Sequence, residues 1–223
     1  MRLFPLIQPY FEHLPQNKRK AEKIDIDYPI PYPQGIPRTF RKFCCFVGVK
    51  TPRRGVLMGA GTLVFTTGIV GILTAAHLLE EVTEGIDVSF FLPSNEWYEI
   101  IIPTSYIVIK NDELDIALLR TPALPPFYQP VEIGWENYSV ISTDLYAFGC
   151  PAGIFGYVWK PKLLTIAGGI IYTKGLACPG VSGGGIFTKV GNKFYLWGVH
   201  MAIHLGSYTL LSRTVKLELK EDS

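Results

Sequence analysis

From residue 39 onward the apolar residues come in short runs, each closed by glycine, proline, asparagine or aspartate. FRKFCCFVGVK, GAGTLVF, GIVGILT, IDVSFFL, YEIIIP, SYIVIK and DIALLR fill the first half. DLYAFGCP, KLLTIAGGIIYT, GGGIFTKV, KFYLWGVHMAI and SYTLLSR fill the second. The runs are rich in β-branched and aromatic residues and too short for helices, so they predict many short strands packed as sandwiches or barrels. Between the halves, TPALPPFYQPVEIG holds four prolines and reads as a connector. Two all-β halves of similar length predict two barrels with a cleft between them. The expected division is residues 39–125 for the first barrel and residues 126–223 for the second with its tail.

Residues 1–38 differ from the rest. Pro5, Pro9, Pro15, Pro29, Pro31, Pro33 and Pro37 lie here, seven of the chain's 17 prolines. Each fixes its own φ and biases its predecessor toward extended backbone, so the segment is expected to form an N-terminal arm. Residues 55–79 contain no formal charge and are long enough to cross a bilayer. Their glycines, their threonines and the turn-like Thr66-Thr67-Gly68 favour two buried strands and a helical turn instead, and no membrane association is expected.

Composition narrows the function by exclusion. A net charge of +2 demands no nucleic-acid partner, and 48% hydrophobic residues suffice for a large core. Cys44, Cys45, Cys150 and Cys178 form no C-x-x-C pair and have no close histidine, so no metal and no cofactor are expected. Cys44 and Cys45 should point to opposite faces of a strand. The first residues lack the apolar core and cleavage site of a signal peptide, and reduced cysteines in the cytoplasm are the expectation. Nothing in the sequence sets an oligomeric state.

The chemistry centres on ACPGVSGGGIF, residues 177–187, where four glycines surround Ser182. Glycine is costly to order, so the cluster implies positive φ or close backbone approach. A serine nucleophile needs a base, and the base needs a third group to fix its tautomer. The chain has four histidines: His13, His77, His200 and His204. Gly180-Val181-Ser182-Gly183-Gly184 also fits the nucleophile elbow of α/β-hydrolases, which requires the order serine, acid, histidine. Residues 183–204 contain no Asp or Glu, which counts against that order. In the other order, His77 follows an apolar strand in ILTAAHLL, and Asp115 enters the apolar run Ile116–Leu119. A carboxylate there needs donors, and a histidine Nδ1–H is one. A structural histidine and a turn aspartate are the alternatives, although Asp112 fills the turn role better.

Taken in order, Thr74-Ala75-Ala76-His77, Asp115-Ile116-Ala117-Leu118-Leu119 and Gly180-Val181-Ser182-Gly183-Gly184 resemble the markers of the chymotrypsin-like peptidase family. The resemblance covers roughly residues 40–215. It implies an all-β fold of two six-stranded antiparallel barrels with the active site in the cleft. It also implies His77 as general base, Asp115 as its orienting acid, Ser182 as nucleophile, and the N–H groups of Gly180 and Ser182 as oxyanion hole. The substrate would be a protein or peptide. AFGCPAGIFGYVWKPKLLTIAGGIIY resembles segments of Deg/HtrA-type proteases, although no PDZ-like region follows residue 215. WGVHMAI resembles both their substrate-binding strand and the G-x-H strand of glutamyl endopeptidases and viral main proteases.

By the same resemblance Leu176, Ala177 and His200 line the S1 pocket, and Met201, Ala202 and Ile203 pair with the substrate backbone. Leu176 stands where trypsins carry an acid, so Lys or Arg selectivity is not expected. His200 suggests Gln or Glu before the cut. Ala177, where those enzymes tend to use Thr, leaves a pocket for medium apolar residues open. His204 receives no role. Val181 replaces the Asp of trypsins, so activity without N-terminal cleavage is expected. A non-catalytic binding or regulatory module is the competing class, and a viral polyprotein-processing protease is one biological setting.

Overall fold

The computed structural model describes residues 40–216 except 54, 67, 93, 95, 134–144, 152–155, 168–169, 175–178 and 207–208. The expected N-terminal arm therefore lies outside the described residues. The regular structure of the described residues is almost all strand, with only short 3₁₀ turns besides.

Seven strands make the first sheet: β1 (Cys44–Thr51), β2 (Gly55–Thr66), β3 (Ile69–Thr74), β4 (Ile86–Phe91), β5 (Trp97–Ile102), β6 (Ile107–Asn111) and β7 (Ile116–Arg120). Their order is β5-β4-β1-β2-β3-β7-β6, antiparallel throughout. β5 and β6 stand at opposite ends of this order, yet the chain joins Ile102 to Ile107 through four residues. Five Cα steps reach about 19 Å at most, whereas a flat seven-stranded sheet is about 29 Å wide. The sheet must therefore curl until its ends approach, with β5 and β6 acting as two halves of one broken strand.

The second sheet repeats the device. Its strands are β8 (Glu132–Ile133), β9 (Leu145–Gly149), β10 (Tyr157–Trp159), β11 (Lys162–Ala167), β12 (Ile170–Lys174), β13 (Gly185–Val190), β14 (Lys193–Gly206) and β15 (Thr209–Lys216). The order is β10-β9-β13-β14-β15-β12-β11, with β8 parallel to β14. Only Lys160 and Pro161 separate β10 from β11, so this sheet must close as well. Counted with broken strands joined, each sheet has the six strands expected from the resemblance, with the short β8 in addition.

The expected runs match the strands, with informative exceptions. KLLTIAGGIIYT is a hairpin, β11 and β12, rather than one strand. β8 and β10 carry no run of their own, being two and three residues long. The uncharged segment 55–79 forms β2, β3 and a 3₁₀ turn at Ala76–Leu79, and no helix among the described residues is long and apolar enough to cross a membrane.

β1 is buried almost throughout, Cys44 and Cys45 included. A strand covered on both faces loses the apolar–polar alternation, as its sequence does. The second cover comes from the other barrel: residues of β1, β2 and β4 share one buried cluster with Phe148, Phe187, Leu196 and Val199. Phe40 anchors this seam. It is fully buried, with ring centroids 5.4 Å from Phe43, 5.8 Å from Tyr146, 5.2 Å from Phe187 and 4.7 Å from Phe194. Replacing Phe40 by Ala should destabilise the protein by about 3–5 kcal/mol. Urea unfolding checks this, and a loss below about 1 kcal/mol would show that Phe40 is not an anchor.

Candidate active site

The histidine is placed by strand register. β3 and β7 pair so that Thr74 faces Ala117. Continuing β3 by three residues and moving back two from Ala117 brings His77 to Asp115. The chain after Thr74 winds into the 3₁₀ turn Ala76–Leu79, whose Leu78 and Leu79 are buried and press His77 outward. Thr74 is itself fully buried, and its hydroxyl donates to the Ala60 carbonyl at 2.9 Å.

Asp115 holds His77 at two points. Its Oδ2 lies 2.7 Å from His77 Nδ1, and its Oδ1 accepts the His77 backbone N–H at 2.7 Å. The Asp115 carbonyl also accepts the Ala76 N–H at 3.2 Å. An ionised carboxylate only accepts, so the imidazole proton sits on Nδ1 and the Nε2 lone pair is left for another proton. Asp115 has φ of 54°, a left-handed conformation that Asp tolerates better than most residues. The turn role expected for Asp112 agrees with its place: it is exposed and pairs with Lys110 at 2.8 Å.

The serine turn is fixed from both barrels. Gly180 and Gly183 have φ of 92° and 80°, which accounts for two of the four glycines. The Gly184 N–H donates to the Val181 carbonyl at 3.0 Å and closes the turn. On the side of the second barrel, the Gly183 N–H donates to the His200 carbonyl and the His200 N–H to the Gly184 carbonyl, each at 2.8 Å. From the first barrel, the Ala60 N–H donates to the Ser182 carbonyl at 2.8 Å. A Cβ on Gly183 would strike the Ala60 carbonyl and the Thr74 hydroxyl and come within 3.0 Å of Ala75 N. A Cβ on Gly59 would meet the Ser182 carbonyl at 2.5 Å and the Leu78 side chain. The Ser182 turn therefore sits against the segment that carries His77. Among the described residues, the N–H groups of Gly180 and Ser182 have no partner. Backbone donors of this kind beside a serine can hold an oxygen that gains negative charge.

His200 is 2% exposed, and burial pushes its pKa down from the ordinary 6.5 to about 3. Its ring stacks on Trp159, with centroids 5.5 Å apart and planes at 18°. Met201, also buried, is the bulged residue of β14, since pairing with β15 slips between His200 and Ala202. β14 pairs with β13 only as far as Val199 and continues to Gly206. Beyond Val199, one edge of the segment holding Met201, Ala202 and Ile203 faces no described strand. Leu176 and Ala177 lie outside the described residues. Trp159 was not legible as a site residue, because β10 is only three residues long and ends before Pro161.

Cys44, Cys45 and Cys150 are free and buried. Burial pushes all three thiols up, that of Cys150 to about 12, so none is a thiolate near neutrality.

The family model of the trypsin-like peptidase domain matches residues 59–194. No curated protein matches the sequence. The Rv3671c protease of M. tuberculosis in its active form is similar with a TM-score of 0.60 and 17% identity, over 84% of this chain and 82% of that one. The HtrA-type protease AlgW, solved with a tripeptide, gives a TM-score of 0.59 and 16% identity over 79% of this chain and 56% of its own. A human pathogenic astrovirus serine protease gives 0.53 and 16% over 80% of this chain and 91% of its own. At such identities the likeness is one of fold.

His200 has a consequence for stability. The unfolded chain protonates it near 6.5, the folded protein only near 3. Between these values the unfolded state binds more protons, so its contribution, complete above pH 6.5, is lost as pH falls toward 3. The full loss is on the order of a few kcal/mol. Urea midpoints at neutral and mildly acid pH should fall less in His200→Phe than in the unsubstituted protein. An equal fall in both would remove His200 as the cause.

Proposed function

Because the chain belongs to the trypsin-like peptidase domain family, we propose that this peptidase is a serine endopeptidase working through His77, Asp115 and Ser182. The observation that carries the reading is the two-point grip of Asp115 on His77 beside a serine turn bonded to both barrels. Asp115 keeps the proton on Nδ1. Nε2 takes the Ser182 proton as Oγ attacks the scissile carbonyl, and returns it to the leaving amine. The new oxyanion is held by the N–H groups of Gly180 and Ser182, each donor lowering the barrier by about 3 kcal/mol. Water then enters, gives its proton to Nε2 and hydrolyses the acyl-enzyme.

Val181 supports activity without N-terminal cleavage. It is buried, and its side chain packs against Gly149, where an added Cβ would come within 3.3 Å of it. An apolar contact thus fixes the residue between the two oxyanion donors, with no ion pair to a freed amine required. Full-length protein should label at Ser182 with a fluorophosphonate. Ser182→Ala should abolish labelling, and Asp115→Asn should slow peptide hydrolysis by about 10⁴-fold through the wrong tautomer. Folded protein that never labels counts against the proposal, and labelling only after trimming counts against the role of Val181.

For specificity, we read His200 as the group that meets the P1 side chain, with Met201–Ile203 adding the substrate backbone as a strand. A neutral imidazole offers a hydrogen bond rather than a charge, which suits Gln or Glu at P1. A peptide library varied at P1 should be cut mainly after these residues, with a preference that holds from about pH 5 to about pH 8 because His200 stays uncharged. Cleavage mainly after Leu, Phe or Ala would overturn this assignment.

A further inference from the structure

Trp159 lies in the segment that resembles Deg/HtrA-type proteases but receives no role there, yet it stacks on His200. Its indole also stacks on Tyr157, the latter pair 5.9 Å apart at 22°. Tyr157 and Trp159 are two apart on β10 and so share a face. The backbone of His200 is fixed separately, by its two 2.8 Å bonds to Gly183 and Gly184. Those bonds locate the Cα, and the indole face lies against the plane of the ring. Its far edge also reaches the slot filled by Val181: a Cβ on Gly149 would lie 3.4 Å from Trp159 Cη2 and 3.3 Å from Val181 Cγ1.

We propose that Trp159 is the positioning residue of the P1 site, its indole face setting the plane in which the His200 ring meets the substrate side chain. The inference rests on the reading of His200 as the P1 reader. Trp159 touches neither the substrate nor the reacting atoms. Its loss should therefore change which side chain is accepted more than how fast an accepted bond is cut. Register supports the assignment: Trp159 pairs with Ala147 of β9, and Ala147 pairs with Ile186 of β13, so the indole is anchored to the strand that follows Ser182. The half-buried indole covers one face of the His200 ring, consistent with the burial that lowers the pKa of that histidine.

The test compares full-length protein with Trp159→Phe and Trp159→Leu on peptides that differ only in Gln, Glu or Leu at P1. The readout is the ratio of kcat/KM between the Gln and Leu peptides, which does not depend on the folded fraction. Trp159→Phe retains a face to stack and should keep the ratio within about threefold. Trp159→Leu fills space without a face and should lower it about tenfold, chiefly by raising KM for the Gln peptide. If Trp159→Leu does not fold, Trp159→Met takes its place. An unchanged ratio in the aliphatic variant overturns the proposal. So does an equal loss in Phe and aliphatic variants, which would assign Trp159 to packing alone. An unsubstituted protein that prefers the Leu peptide overturns the reading of His200 itself, and that result is distinguished because it appears without any substitution.

Discussion

The carboxylate of Asp115 is the constraint on which the site depends. One oxygen faces His77 Nδ1 and the other accepts the His77 backbone N–H, both at 2.7 Å. The first contact fixes the tautomer, and the second fixes the turn that carries the ring. Asp115 takes up left-handed backbone to do this, at a cost of about 1 kcal/mol. The cost is offset by the charge-assisted hydrogen bonds that this conformation makes possible. A side chain that only terminated the β6–β7 turn would not need to face β3 at all.

The second barrel supplies the serine, and the seam between the barrels sets its position. Ser182 stands between a bond from Ala60 on one side and the Gly183–His200–Gly184 exchange on the other. Gly59 and Gly183 allow this approach, since a Cβ at each would strike backbone atoms across the contact, while a Cβ on Gly184 would strike the Phe148 carbonyl of β9. The glycines that looked excessive in the sequence are thus the points where chain segments touch. The aromatic cluster around Phe40 and the cysteines of β1 lie in the same buried seam, so the packing that holds the barrels together also holds the turn against the His77 segment.

How much of this was legible in the sequence varies with its physical origin. The strands of the first half were readable because each is a local run with turn residues at its ends. The three motifs were readable because their chemistry needs particular side chains in a particular order. What brings His77 to Asp115 was not readable, because register between β3 and β7 is a long-range property. β10 escaped because three residues before a proline carry no period, and with it went Trp159. The Met201 bulge was hidden too, since nothing local marks a slip in pairing between β14 and β15. His200 stood out by its motif, but its burial and stacking depend on a strand some forty residues earlier in the chain.

On the proposed mechanism the scissile acyl group passes to Ser182 Oγ before water releases it. The most direct measurement is the mass of the protein quenched in acid during turnover of an activated acyl ester, followed by peptide mapping. One acyl group per chain is expected, carried by the peptide that contains Ser182 and absent from Ser182→Ala. Ester turnover with no acyl-protein in the wild type or in a slow-deacylating reaction, or an acyl group on another residue, would contradict it.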